Sequence, residues 1–401
     1  MSVDPVHRLS EDFFQDPHSV YRELNEHGQV HQVEFPSGMR AWVVTGYDLA
    51  KRVFADPAIS KELYGSAGEI AQANANTVLR LDPPVNDHML YRDPPHHTRL
   101  RKIAMKALSS AVVRDFTPRI EEIAESVLDE FAGQDSVDLL TTYAYPVSGS
   151  GICEIIGIDA ADRTKFQGWL ATQISTADTD VKYAAAMEFE GYVHRLFDER
   201  REKAGNDLIS ELMSPSADGD RLDQDEILAM VNAILLGSVG TVAGLIGNAV
   251  LMMTTQPHLQ DELRGDPELI PAFLEETLRY ESAGNLASPR FTTQPLELGA
   301  HTIGSGEVVL VAAAAVNRDA QHFDRPDVMD VRRAENRHLA FGYGIHRCPG
   351  AALARTEARI AIAALLRRYS DISLAVDIEE LRWQESLIAR TLLSLPVRLE
   401  K

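Results

Sequence analysis

Cysteine and positive charge are both scarce in this sequence. Only two cysteines, Cys153 and Cys348, occur among 401 residues, which excludes a disulfide framework and favours a reducing compartment. Lys and Arg number 39 against 60 Asp and Glu, so the formal charge is −21. Such an acidic chain is a poor candidate for binding nucleic acid or an anionic membrane. Because the N-terminus is acidic and has no apolar run, we expect no signal peptide, no anchor and a cytoplasmic location.

The segment 227–260 contains no Asp, Glu, Lys or Arg. About 20 apolar residues suffice to cross a bilayer, so a membrane span has to be weighed. Against a span, the segment carries Asn232, Ser238, Thr241 and Asn248, and its N-terminal flank is acidic. A helix that is apolar on all sides is usually a buried one. We therefore expect a long helix in the middle of a helical domain, and no membrane.

No repeat, low-complexity tract or Pro-rich linker divides the chain. Its length exceeds the roughly 250–300 residues at which a single core usually stops growing, so it forms either two domains or one domain built around a group that is not protein.

Hydrophobic periodicity predicts a mainly α fold with a small β part, and a hairpin containing 304–306. The predicted helices are 45–55, 98–109, 117–133, 160–174, 184–203, 224–255, 268–281 and 350–369; the strands 41–45, 296–298, 307–312 and 393–399; and the long loops 62–95 and 319–347.

The segment 341–355 places three glycines around Cys348, just before an Ala-rich helix. Glycine permits a tight loop, and a helix N-terminus with Arg347 alongside favours a thiolate. Three interpretations stay open at this point. Cys348 is a buried structural cysteine, a zinc ligand with His346 that lacks a second ligand pair, or a nucleophile whose partner base lies elsewhere.

The string Phe341-Gly342-x-Gly344-x-His346-x-Cys348-x-Gly350 resembles the haem-binding loop of cytochromes P450. The resemblance implies a single haem domain over 1–401, mainly α with a small β subdomain, in which a triangular prism of helices surrounds a buried haem b. It also implies that the Cys348 thiolate is the axial ligand of the iron, which favours O–O cleavage. The loop residues Phe341, Gly342 and Gly350 would shield the sulfur and the cofactor.

Further residues match the pattern of this family. Glu276 and Arg279 have the spacing of its Glu-x-x-Arg pair, which Arg333 would complete as a buried structural triad. By the same resemblance, four basic residues bind the haem propionates, since Arg forks readily onto a carboxylate. These are His97, Arg101, Arg290 and His346. His96 stands where the family usually has Glu.

The oxygen-activating helix departs from the pattern at one position. Thr241 is present, but the acid that usually precedes it is replaced by Gly240. By resemblance the Thr241 hydroxyl guides protons during oxygen activation, and Ser238 or water would take over the role of the missing acid. Glycines at 237 and 240 suggest a distorted helix with room beside the iron. The predicted substrate contacts are Ala233, Leu236, Gly237, Leu286, Ser288, Ile388 and Ala389, with 62–92 as a lid.

The resemblance implies a monomeric monooxygenase that uses O2 to hydroxylate or epoxidise a hydrophobic secondary metabolite such as a polyketide. Its electrons would come from a separate ferredoxin and ferredoxin reductase, because no flavin or iron–sulfur segment follows the haem pattern. The segment 99–114 has five basic residues and no acid, which suggests an acidic partner docks near Arg99, Lys102, Lys106 and Arg355. Since Gly240 lacks a carboxylate, the alternatives are a nitric oxide reductase-like enzyme and a non-catalytic haem-bearing recruitment partner.

Overall fold

The segment without charged residues forms the axis of the molecule. The computed structural model describes residues 6–63, 65–75, 87–174, 179–215 and 219–401, and in it most of this segment, 227–255, lies in a 32-residue helix, Gln224–Thr255. Asp223 caps the helix by accepting a hydrogen bond from the Glu226 N–H, and the Glu226 carboxylate accepts one from the Asp223 N–H; this reciprocal box satisfies two free donors. The helix is long and apolar enough to cross a membrane, but 56% of its most apolar window is buried in the protein. This burial fits a core helix.

All eight predicted helices are present, although 117–133 begins earlier, at Ser110. Six further helices were not predicted. One of them, Tyr145–Ile156, contains Gly149 and Gly151, whose low helix propensity hides it in the sequence, while packing against neighbouring helices stabilises it. In chain order the described helices are α1 Pro17–Asn25, α2 Tyr47–Ala55, α3 Ser66–Asn74, α4 His96–Ala107, α5 Ser110–Glu130, α6 Tyr145–Ile156, α7 Arg163–Ile174, α8 Thr179–Glu202, α9 Leu208–Met213, α10 Gln224–Thr255, α11 His258–Gly265, α12 Ile270–Tyr280, α13 Ala313–Val316 and α14 Ala351–Arg368.

The strands form a small β part to one side of the helices. They are β1 His7–Arg8, β2 Val30–Glu34, β3 Arg40–Val44, β4 Ile59–Ser60, β5 Ser136–Asp138, β6 Arg290–Thr292, β7 Leu296–Leu298, β8 His301–Ile303, β9 Val308–Val311, β10 Asp371–Leu374 and β11 Pro396–Glu400. Their orders are β1-β2-β3-β9-β6-β4, β10-β11-β5 and β7-β8. The prediction of a hairpin containing 304–306 is wrong. The hairpin is β7-β8 and turns at Gly299, where φ is +61°, whereas 304–306 lead into β9, which pairs with β3 and β6.

The core is divided between these two parts. The main apolar cluster surrounds α10 and includes α5, α6, α12 and α14, and two smaller clusters lie on either side of the six-stranded sheet. The predicted loop 62–95 is partly wrong because it contains α3; residues 64 and 76–86, which include much of the predicted lid, lie outside the described residues. The predicted loop 319–347 has no strand and only one short helical turn, Gly344–His346. This loop crosses from the sheet to the helices and carries the cysteine segment.

Candidate active site

The cysteine loop is shaped by two backbone conformations that favour glycine. The φ angles of Gly342 and Gly344 are +69° and +74°, in the left-handed region. A Cβ atom on Gly344 would lie 2.8 Å from the carbonyl oxygen of Phe54 in α2. The Cys348 N–H donates a hydrogen bond to the Phe341 carbonyl oxygen at 2.8 Å, which closes the loop. The cysteine loop is thus fixed against α2 at Gly344 and is closed at Cys348 by the bond to Phe341.

The electrostatic environment of Cys348 is mixed. Burial raises the pKa of the Cys348 thiol, and the Gly350 N–H and the guanidinium groups of Arg101 and Arg347 oppose this rise without cancelling it. Without a metal ion, desolvation of the sulfur therefore outweighs the helix N-terminus and Arg347, the two features that were expected to favour a thiolate. A bound metal cation deprotonates a coordinating thiol outright, so the loop becomes a thiolate site when a metal binds.

The interpretation of Cys348 as a zinc ligand gains no support from the structure. Within the described ranges no group of three or more His, Cys, Asp and Glu side chains could hold a metal ion, so His346 and Cys348 lack the further ligands that zinc needs. Cys153 is fully buried, and burial raises the pKa of its thiol to about 12. It is therefore a core residue with an unreactive thiol.

The four basic residues predicted to bind propionates lie close together; we refer to them as the basic cluster. The rings of His97 and His346 are 4.2 Å apart. Both ring nitrogens of His97 and Nε2 of His346 are buried and have no hydrogen-bond partner. Burial, followed by nearby cations, lowers the pKa of His97 to about 4 and that of His346 to about 2, so both imidazoles are neutral.

Among the described residues, the two arginines of the basic cluster form hydrogen bonds only with backbone oxygens. Arg290 is 4% exposed and donates to the Ser288 carbonyl oxygen at 2.8 Å, and its guanidinium stacks on the Phe54 ring. Arg101 donates to the Arg347 carbonyl oxygen at 2.7 Å. Arg290 is buried and Arg101 is half-buried. Guanidinium groups withdrawn from water are normally paired with an anion, and neither has a carboxylate partner among the residues that the structure describes. The basic cluster is therefore complementary to a carboxylate-bearing ligand.

Helix α10 is covered at both ends and open in the middle. Residues before 236 and after 241 are mostly buried, whereas Leu236, Gly237 and Thr241 are exposed. A Cβ atom on Gly237 or Gly240 would meet nothing within 4 Å. An uncovered stretch in the middle of a core helix leaves a space that a buried ligand can fill.

Hydroxyl groups bind three backbone carbonyls of this stretch. Thr241 Oγ1 donates to the Gly237 oxygen at 2.6 Å and Ser238 Oγ to the Leu235 oxygen at 3.0 Å. From α6, Ser148 Oγ donates to the Val239 oxygen at 3.1 Å. Side-chain bonds of this kind compete with the helix ladder and bend it. Helix α10 is nevertheless continuous over Gln224–Thr255, so the local distortion expected from the two glycines stays a prediction.

The predicted substrate residues divide into two groups. Ala233 is half-buried on α10 beside the open stretch, and Ile388 and Ala389 belong to a C-terminal loop that pairs with 284–286. Leu286 does not line an open space, as a substrate contact would. It is 1% exposed and packs with Phe291 in the apolar cluster of the sheet, because the bridge to Ala312 turns its side chain inward. The predicted contact residue Ser288 accepts a hydrogen bond from Lys61.

The predicted buried triad is formed as expected from its spacing. Glu276 accepts two hydrogen bonds from Arg279, at 2.8 and 2.7 Å, and one from Arg333 at 3.1 Å. Asn336 Nδ2 and the Asp330 N–H also donate to this carboxylate. All the donors except Arg279 come from the long loop, so the triad fixes the segment that leads to the cysteine.

The predicted basic docking surface is less positive than its sequence. Arg99 pairs with Asp220 and Glu226, Lys106 pairs with Glu211 at 2.9 Å, and Arg355 pairs with Glu275. The acids come from α9, α10, α12 and the loop before α10, far away in sequence. Arg347, by contrast, is exposed beside Cys348 and is in no ion pair within the described part of the chain.

Sequence reasoning missed two buried charged residues. Lys61 is 2% exposed and follows β4, at the edge of a segment predicted to be a loop. Glu357 on α14 is fully buried, neither of its oxygens has a partner, and burial raises its pKa to about 8. Neither position carries a sequence signal, because burial of a lone charged residue depends on the fold.

The residues present fit a haem. The loop offers one thiol, the basic cluster offers buried imidazole and guanidinium groups that lack an anion, and α10 offers an open face with two glycines. Cys348 would ligate the iron, and the basic cluster would bind the propionates.

Three comparisons with known proteins agree with this fit. The family profile described as Cytochrome P450 matches residues 166–380. The chain is 38% identical to Cytochrome P450 107B1 of Saccharopolyspora erythraea, over 96% of each chain. It is 34% identical to Mycinamicin IV hydroxylase/epoxidase of Micromonospora griseorubida, over 96% of this chain and 97% of the other. The structure of the ligand-free P450 monooxygenase TamI superposes with a TM-score of 0.90 at 35% identity, covering 98% of this chain and 94% of the other.

Proposed function

The chain belongs to the cytochrome P450 family, and on that premise we propose that it hydroxylates or epoxidises a mainly hydrophobic secondary metabolite such as a polyketide. Its enzyme class is a haem-thiolate monooxygenase, which inserts one oxygen atom of O2 and reduces the other to water with two electrons and two protons. The observation that carries the proposal is a pair of neighbouring imidazoles, those of His97 and of His346, which is two positions before Cys348. Both ring nitrogens of His97 and Nε2 of His346 are buried and have no hydrogen-bond partner among the described residues. The name of the mycinamicin relative supports the reaction types, and the name of a Bacillus subtilis relative, Polyketide biosynthesis cytochrome P450 PksS, supports the substrate class.

The roles of the protein groups follow from their contacts. Haem, when bound, supplies the iron on which dioxygen is activated, and we propose haem b. The backbone bond between Cys348 and Phe341 orients the sulfur, and the neutral rings of the basic cluster donate to carboxylates while costing less desolvation than charged groups. The small and apolar residues Ala233, Leu236 and Gly237 bound a space for an apolar substrate.

Proton delivery would use hydroxyl groups and water in place of a carboxylate. The Thr241 hydroxyl is exposed on the open face and is held by the Gly237 oxygen. Ser238, half-buried beside it, is bound to the Leu235 oxygen. Each hydroxyl keeps acceptor capacity for a water molecule while it donates to a carbonyl, and the bare Gly240 leaves space for that water.

Electron supply is proposed to come from a separate ferredoxin and its reductase. The docking surface would lie near Arg99, Lys102, Lys106 and Arg355. Because Arg99, Lys106 and Arg355 are paired with acids of the same chain, we expect Arg347 to contribute most of the unpaired positive charge. We further propose one haem domain over 1–401, a cytoplasmic location and a monomer.

The function is tested on purified holoprotein. Reduction under carbon monoxide should give the red-shifted absorbance of thiolate-ligated haem, and Cys348→Ala should abolish it, whereas Cys153→Ala, in the core, should keep it. A panel of polyketides and other apolar metabolites should produce high-spin shifts, followed by oxygenated product when ferredoxin, reductase and NADPH are added. Consumption of nitric oxide with NADH alone, without product, would contradict the monooxygenase assignment and favour a reductase.

A further inference from the structure

Lys61 is a buried cation without an anion. Its side chain is 2% exposed, and Nζ donates to the hydroxyl of Ser288. Within the described ranges it forms no ion pair. Asp93, the acid beside it, is bonded instead to the Lys61 N–H at 3.0 Å and to the hydroxyl of Ser60. A buried ammonium group that lacks an ion pair is costly, so the position calls for an anionic ligand.

The surroundings make this cost larger. Burial and then the charge of Arg290 lower the pKa of Lys61, and Asp93 opposes this only in part. Lys61 Nζ binds the hydroxyl of Ser288, and Arg290, a member of the basic cluster, binds the carbonyl oxygen of the same residue. The ammonium group therefore belongs to the basic cluster in space, although it reaches the cluster from β4 on the sheet.

We propose that Lys61 is a further carboxylate-binding residue of this cluster and that its partner is a haem propionate. The proposal rests on the haem binding proposed above. Arg290, which binds the same residue, Ser288, also lacks a carboxylate partner within the described ranges. Lys61 adds a third cation to those of Arg101 and Arg290. Its hydrogen bond to Ser288, two residues before Arg290, holds the ammonium group beside the strand that carries Arg290.

This assignment changes the role expected of Ser288. Its hydroxyl orients the Lys61 ammonium group, so it is a positioning residue for the cofactor contact in addition to a predicted wall of the substrate space. A carboxylate on the substrate is the other possible source of the same anion, and the experiment has to distinguish the two.

The test compares holoprotein of the wild type, Lys61→Met, Lys61→Arg and Lys203→Met, an exposed lysine at the end of α8. Haem transfer to excess apomyoglobin should be about tenfold faster in Lys61→Met, a factor that corresponds to about 1.4 kcal/mol. The ferric/ferrous midpoint potential should fall, because a cation near the haem favours the added electron. Lys61→Arg should restore both properties, and Lys203→Met should change neither.

Two outcomes would overturn the assignment. If Lys61→Met changes neither haem transfer nor the potential but weakens spin-state shifts for carboxylate-bearing ligands only, the anion is the substrate's. If all three stay at the wild-type value, Lys61 binds no carboxylate. Should Lys61→Met fold poorly by far-ultraviolet circular dichroism, Lys61→Gln takes its place in the same measurements. A wild-type protein without the red-shifted carbon monoxide band would instead defeat the proposed function itself.

Discussion

Arg333 is 57 residues beyond Glu276 in sequence, yet its Nε lies 3.1 Å from Glu276 Oε1. Both side chains are buried, and the guanidinium also donates to carbonyl oxygens of the same long loop, those of Asp324 and Val328. One carboxylate on α12 thereby organises a loop that has almost no regular structure of its own. The loop in turn delivers the segment that holds Cys348.

Arg333→Met should therefore lower the free energy of unfolding by about 3–5 kcal/mol, because it leaves the buried Glu276 carboxylate with one guanidinium fewer. The neighbouring Arg332 provides the matched control, since it forms an exposed pair with Glu262. Arg332→Met should change the unfolding free energy by less than about 1 kcal/mol. Denaturant unfolding of the three proteins measures both values, and equal losses would show that the buried carboxylate gives Arg333 no special role.

Thr241→Ala should uncouple electron use from product formation. The hydroxyl is exposed on the open face of α10 and is the group best placed to hold a proton there. We expect product per NADPH to fall by about tenfold, at the low end of the effect of positioned proton donors, with hydrogen peroxide in place of product. Thr241→Ser, which keeps a hydroxyl, should retain most of the coupling. Unchanged coupling in the alanine variant would assign proton delivery to other groups, with Ser238→Ala as the next variant.

The pair of Arg355 and Glu275 should give the fold an acid-sensitive contact. Burial raises the pKa of Glu275, but hydrogen bonds from Arg355 and His338 outweigh it and bring the pKa to about 2. A glutamate in the unfolded chain titrates near 4.3. Because the pKa is lowered on folding, the stabilisation is complete above about pH 4.3 and is lost as the pH falls towards 2.

Glu275→Gln removes this titration. Its unfolding free energy should lie below that of the wild type at pH 6, and the difference should shrink as the pH is lowered to 3.5. Glu262→Gln, at an exposed pair, is the control and should show a nearly constant difference. If the difference in unfolding free energy between the wild type and Glu275→Gln did not change with pH, the lowered pKa of Glu275 would be contradicted.

Arg347→Glu should slow turnover driven by ferredoxin more than Lys106→Glu does. Arg347 is exposed beside the cysteine loop without an ion pair in the described chain, whereas Lys106 is already paired with Glu211. We expect about a tenfold loss at low salt for Arg347→Glu, shrinking as salt is added, since exposed charges are screened. Peroxide-driven turnover, which needs no ferredoxin, should be unchanged. Equal effects of the two charge reversals would show that the docking surface is not centred on Arg347.

Local patterns in the sequence were enough to predict the long elements and the cysteine loop. The charge-free run predicted α10, and the glycines around Cys348 predicted a tight loop because the left-handed φ angles found at 342 and 344 favour glycine. The helix α6 could not be predicted in the same way. Gly151 there is required by the side chain of Glu357, which is 206 positions away, and the sequence gives no sign of that contact.

Charge was the least predictable property of the surface. The segment 99–114 contains no acid, yet Arg99 and Lys106 are neutralised by Asp220, Glu226 and Glu211. Ion pairs of this kind depend on which elements become neighbours. The same reason explains why Lys61 was missed, since its burial between β4 and Ser288 exists only in the folded chain.

Support of the fold and contact with the substrate fall on different parts of helix α10. Its two ends are packed in the core and support the fold, while Leu236 and Gly237 in the open stretch are exposed. Substitutions at these two positions can therefore alter which molecules are accepted at small cost in folding free energy, since few packing contacts are lost. A lineage carrying this helix could diversify its substrates there while the scaffold and the Thr241 hydroxyl stayed intact.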